Sequence, residues 1–142
     1  MKVIVVSHGN FAQGLVDSVQ MLVGEQENLV AYGLRPEQTN TDLRDELEEE
    51  LKNTPEGEEV LFLTDLFHGT PFNMVVDLMR DYKFYHLTGI NIPLTIEVMM
   101  GRYADSSAEE ICLSVIEQAP DTVKYVNAMF ENHNSQEDEE EE

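Results

Sequence analysis

The chain carries one cysteine, Cys112, and no tryptophan in 142 residues. A single thiol cannot close an intramolecular disulfide, so the fold must rest on its apolar core and suits a reducing compartment. Basic residues are scarce too: 8 Lys and Arg stand against 29 Asp and Glu, a formal charge of −21. Such a surface lacks the cations that neutralise nucleic-acid phosphates or dock on anionic lipid. It suits solubility and the approach of a basic protein. No apolar run approaches the roughly 20 residues of a membrane helix. The opening run, Val3 to Val6, is too short for a secretory signal and is interrupted by Ser7 and His8. There is also no Gly-x4-Gly-Lys-Ser/Thr segment, so no P-loop for direct use of ATP. These absences together point to a cytoplasmic protein that does not bind nucleic acid.

What is present is enough for one domain: 42% of residues are hydrophobic, and the length suits a single core. The domain is expected over residues 1–133. Residues 134–142, almost wholly acidic, read as a disordered tail. Lys2 to Ser7 reads as a strand, and Phe11, Leu15, Val19 and Leu22 recur at helical spacing, with Asn10 as N-cap and Gly24 as stop. Leu29 to Tyr32 is a second strand. Thr39 to Asn53 is a polar helix with a narrow stripe of Leu43, Leu47 and Leu51. Val60 to Asp65 is a third strand, apolar enough to be buried on both faces. Thr70-Pro71 then reads as N-cap and first helical residue. Phe84 to Thr88 is a fourth strand, Leu94 to Met100 a helix, and Ser107 to Glu110 a capping box opening another. Val123 to Met129 fits either a strand or a short helix.

Strands alternating with helices predict an α/β, doubly wound, three-layer sandwich around a mainly parallel sheet. Functional sites in such sheets lie beyond the carboxyl ends of the strands. His8 follows strand one and Asp65 ends strand three, so neighbouring strands would bring imidazole and carboxylate together. Gly9 and Asn10 lead into one helix start, and His68, Gly69 and Thr70 into another. Helix N-termini present unpaired N–H groups and partial positive charge, which suit a phosphoryl group. A carboxylate holding one ring nitrogen frees the other as nucleophile and stabilises charge on the ring. His8 and Asp65 are thus the candidate catalytic pair. Gly9, Asn10, His68, Gly69 and Thr70 are candidate phosphoryl-binding residues, and the scheme requires no metal or other cofactor. His86, in mid-strand, reads as structural, and Cys112 as a packed thiol.

Four segments carry a more specific resemblance: Ser7-His8-Gly9, Gly24-Glu25-Gln26-Glu27-Asn28, Asp65 to Asn73, and Gly89-Ile90-Asn91-Ile92-Pro93. In order and spacing they resemble the enzyme IIA component of the mannose family of the bacterial sugar phosphotransferase system. The resemblance implies phosphorylation of His8 at Nε2, with Asp65 holding Nδ1. It implies the histidine-containing phosphocarrier protein HPr as donor, an enzyme IIB as acceptor, and indirect association with the membrane components IIC and IID. It also implies a homodimer in which a C-terminal strand, here around residues 123–129, is exchanged and runs antiparallel to the rest of the sheet. One position departs from the family pattern: His68 stands where members commonly carry glycine.

A second reading is a metal-dependent hydrolase with His8, Asp65 and His68 as ligands and an open fourth position. A histidine phosphatase fits less well, because Ser7 occupies the place of the arginine in an Arg-His-Gly motif.

Overall fold

The computed structural model describes residues 1–131. Strands β1 (Lys2–His8), β2 (Leu29–Leu34), β3 (Val60–Thr64) and β4 (Tyr85–Thr88) form one sheet in the order β2-β1-β3-β4. Every pairing is parallel. The helices are α1 (Phe11–Val23), α2 (Asn40–Lys52), α3 (Thr70–Leu78), α4 (Ile92–Tyr103) and α5 (Ala108–Gln118), followed by a 3-10 turn at Ala119–Thr122.

The sheet is buried on both sides because its central strands are apolar on both sides. Alternate residues of a strand face opposite ways. Val3 and Val5 of β1, with Leu61 and Leu63 of β3, meet Leu15 and Val19 of α1, Val98 of α4 and Ile111 and Val115 of α5. Ile4, Val6 and Phe62 face the other way, onto Leu43, Leu47 and Leu51 of α2 and Val75 and Leu78 of α3. This is the expected three-layer sandwich. The leucine stripe of α2 is buried as its spacing requires, and each such side chain contributes roughly 1.5–3 kcal/mol of burial. Capping boxes open α2, at Thr39 and Asp42, and α5, at Ser107 and Glu110.

Strand order positions the site. After β1 the chain turns one way to β2, then crosses back over β1 to reach β3 on its far side. The connections leaving β1 and β3 run on opposite faces and open a crevice between the two carboxyl ends.

Three local expectations are corrected and a fourth is refined. β2 runs to Leu34 rather than Tyr32, because the Gly9 amide extends the ladder by donating to the Leu34 carbonyl at 2.9 Å. Asn10 holds the N-cap position of α1 as expected, but its side chain makes no capping bond; Ser7 Oγ accepts from the Ala12 amide at 2.7 Å. Thr70 lies inside α3, and Gly69 holds the cap position, where it offers no side chain to the leading amides. Residues 123–129 form no strand: 126–131 are helical. A helix pairs its amides with its own carbonyls, whereas an exchanged strand draws its ladder from a second chain. The acidic tail and the domain boundary at residue 133 lie outside the described residues.

Candidate active site

β1 delivers His8 as its last residue and β3 delivers Asp65 one residue past its end. Val6 and Thr64 are paired in register, so Asp65 leaves the neighbouring strand one residue below His8. His8 Nδ1 lies 2.8 Å from Asp65 Oδ2, and the His8 amide donates to the same oxygen at 3.0 Å. The other carboxylate oxygen accepts from the Leu66 amide at 3.1 Å. Asp65 is thus held at both oxygens and its side chain is only 13% exposed, while that of His8 is 49% exposed. An ionised carboxylate only accepts, so Nδ1 carries the proton and Nε2 presents its lone pair.

The α3 loop passes directly over the ring. A β-carbon built on Gly69 would lie 3.1 Å from His8 Cε1 and 3.4 Å from Nε2. Gly69 caps α3 without a side chain, so the leading N–H groups of the helix have no side-chain partner there. Thr70 Oγ1 donates to Asn40 Oδ1 of α2 at 3.3 Å.

Of the candidate residues, His8, Asp65 and Gly69 come together, and Thr70 follows Gly69 as the first residue of α3. Gly9 does not offer its amide, which is committed to Leu34. Asn10 sits exposed at the start of α1. His68 has φ +75°, and its ring packs on Phe67 with centroids 3.8 Å apart and on the edge of Phe72 at 5.7 Å. No three of His, Cys, Asp and Glu gather as metal ligands among the described residues. The hydrolase reading therefore lacks its ligand set.

Beneath the site, His86 Nε2 lies 2.8 Å from Thr64 Oγ1, which donates to Thr88 Oγ1 at 2.8 Å. Burial pushes the imidazole of His86 down to about 4, so it is neutral near pH 7. Cys112 is half-buried, and burial, with Glu109 and Glu59 adding to it, pushes its thiol up to about 11. Both fit structural roles.

Three supporting residues escaped the sequence reading. Ser7 is fully buried and ties β1 to α1. Gly33 packs so closely that a β-carbon there would fall 2.0 Å from the Gly9 carbonyl oxygen. Asn40 reaches Thr70 from a distant helix. A glycine inside a strand is a legible hint of close backbone approach; the other two have no comparable signal.

The profile of a family described as "PTS system fructose IIA component" matches residues 2–116. The chain belongs to that family. It is thereby placed among the IIA components of a sugar phosphotransferase system. The IIA chain is 35% identical to the fructose-specific EIIA component of Bacillus subtilis over 100 residues, 70% of this chain and 68% of that one. It is 31% identical to the mannose-specific EIIAB component of Escherichia coli K12 over 127 residues. That match covers 89% of this chain but only 39% of the relative, so the IIA chain spans well under half of that protein. Among solved structures, a phosphotransferase system component EIIA from Streptococcus agalactiae superposes with a TM-score of 0.81 at 29% identity. It covers 89% of this chain and 98% of that one. No helix among the described residues is long and apolar enough to cross a membrane.

Proposed function

We propose that His8 carries the phosphoryl group on Nε2, taking it from phosphorylated HPr and passing it to a histidine of a cognate enzyme IIB. The observation that carries this reading is the 2.8 Å contact of His8 Nδ1 with Asp65, which leaves Nε2 free under Gly69. The Nε2 lone pair attacks phosphorus while the donor's N–P bond breaks, its electron pair returning to the donor ring. His8 keeps its Nδ1 proton and becomes a phosphorylated imidazolium, whose charge faces the Asp65 carboxylate. Transfer to IIB repeats the displacement with His8 as leaving group.

The phosphoryl oxygens would meet the open amides of α3 and the Thr70 hydroxyl, fixed dipoles that need no reorganisation. Asn10 and His68 would stand at the rim. Phosphate moves here, not sugar, so the pair places no demand on which sugar the membrane components IIC and IID import. Association with those components would be indirect, through IIB, and the working compartment the cytoplasm.

A homodimer belongs to the same reading. Val123, Tyr125, Val126, Met129 and Phe130 are 51–82% exposed at one end of the domain. So much apolar surface in eight residues suits cover by a second copy, with the helix at 126–131 giving way where residues 123–129 form an exchanged strand.

The test is incubation with phosphoenolpyruvate, enzyme I and HPr, followed by intact mass. One acid-labile phosphoryl group on the wild-type chain and none on His8→Ala is the expected result. No gain with competent donors would overturn the proposal.

A further inference from the structure

Asn40 and Thr70 open two different helices, α2 and α3, yet their side chains meet: Thr70 Oγ1 donates to Asn40 Oδ1 at 3.3 Å. Asn40 has no evident duty in its own helix. Thr39 caps α2, with its side chain accepting from the Asp42 amide and that of Asp42 accepting from the Thr39 amide. The asparagine is exposed, and no other side-chain hydrogen bond of Asn40 is present among the described residues.

A threonine hydroxyl has one proton. While that proton is held by Asn40, Thr70 has only lone pairs left to offer, and a lone pair repels a phosphoryl oxygen. To stabilise a phosphoryl group on His8, Thr70 must redirect the proton. Its oxygen then needs a donor where it previously had an acceptor. An amide side chain meets both demands, since Oδ1 accepts and Nδ2 donates, and a half-turn exchanges them. A carboxylate of the same shape only accepts, and an aliphatic side chain does neither.

We propose that Asn40 is a positioning residue for phosphoryl transfer. It holds the Thr70 proton in the free protein and donates its amide N–H to Thr70 Oγ1 when that proton turns to the phosphoryl group. The inference rests on the phosphocarrier reading of His8.

The test is the phosphoryl-exchange equilibrium with HPr, measured for the full chain and its variants, with direct phosphorylation by phosphoramidate as a donor independent of HPr docking. Asn40→Ala is expected to shift the equilibrium toward phospho-HPr by about threefold to tenfold, the ratio of one neutral hydrogen bond. Asn40→Asp, equal in shape, should shift it further with no matching fall in thermal midpoint. In a Thr70→Val background the effect of Asn40→Ala should vanish. A wild-type equilibrium in Asn40→Ala, or an undiminished effect with Thr70→Val, would overturn the role of Asn40 while leaving His8 as carrier. Failure of the wild-type chain to accept phosphate from either donor would overturn both.

Discussion

Asp65 Oδ2 takes two hydrogen bonds from one residue, the ring Nδ1 of His8 at 2.8 Å and the backbone amide of His8 at 3.0 Å. One oxygen thereby sets both the ring orientation and the end of the strand that carries it. With Leu66 bound to Oδ1, the carboxylate only accepts, at both ends. Asn at this position fails in either orientation. With its amide nitrogen toward Leu66, two donors face each other and the imidazolium loses its counter-charge. With the nitrogen toward His8, the ring adopts the wrong tautomer and the lone pair leaves Nε2. Asp65→Asn should keep the fold and slow phosphoryl transfer by on the order of 10²- to 10⁴-fold. Rapid-quench transfer kinetics with HPr would check this, and a near-normal rate would remove Asp65 from the mechanism.

His8 and Asp65 were legible because both end strongly apolar strands, and a parallel sheet puts all such ends on one edge. The two-face burial of β1 and β3 was legible for the same reason. Details that depend on contact between distant elements were not. Asn10 holds the N-cap position of α1, but the side-chain acceptor for its first turn is Ser7 Oγ, which comes from the end of β1. Gly33 matters through register with the turn after β1, which no local pattern encodes. Residues 123–129 have apolar content compatible with two backbone states, and their periodicity does not separate them. His68 looked like a possible ligand by spacing alone, but its ring packs against Phe67 at a tilt instead.

Gly69 combines φ +88° with a position against the imidazole. Gly69→Ala must adopt a left-handed conformation costing about 1 kcal/mol or more, and its methyl would meet His8 Cε1 and Nε2. The expected outcome is a modest loss in denaturant midpoint with a disproportionate loss of phosphoryl incorporation, tenfold or more on the order of one hydrogen-bond-sized displacement. Loss of stability with a normal transfer rate would show that the loop has freedom over His8.

Gly33 tests the support behind the turn. A β-carbon there would overlap the Gly9 carbonyl oxygen and lie 3.1 Å from its carbon, both backbone atoms. Gly33→Ala should therefore displace β2 or the turn, at about 1–3 kcal/mol as for other overpacked sites. Urea unfolding measures the cost, and the Nδ1 proton resonance of His8 reports whether the turn has moved. An unchanged midpoint and resonance would show that the two strands separate easily at this point.

The apolar face at residues 123–130 predicts self-association. Charged substitutions at two exposed positions, Val126→Asp and Phe130→Asp, should leave the monomer fold intact, since neither residue belongs to the core. Sedimentation should then show a wild-type dimer and a monomeric double variant. A wild-type chain that stays monomeric at high concentration would remove the dimer from the proposed function.

His86 makes stability depend on pH in a predictable direction. Burial lowers its folded pKa to about 4 from an ordinary value of 6.5. Above pH 6.5 both folded and unfolded chains hold the ring neutral, and the residue contributes no pH dependence. As pH falls below 6.5 the unfolded chain gains a proton that the folded chain resists, so stability declines. The decline is complete near pH 4 and amounts to roughly 3 kcal/mol at most. Carboxylates such as Glu50 titrate in the same range. Burial raises the Glu50 pKa, but hydrogen bonds from Lys2 and Tyr32 outweigh it and leave a net lowering. The informative quantity is therefore a difference between two proteins. His86→Val leaves Thr64 hydrogen-bonded to Thr88 and removes only the imidazole. Stability of wild type minus variant, from urea unfolding between pH 7 and pH 4, should fall steadily with acid. A constant difference would mean that His86 accepts its proton in the folded protein as readily as in the unfolded chain, and that the Thr64 contact tolerates a charged ring.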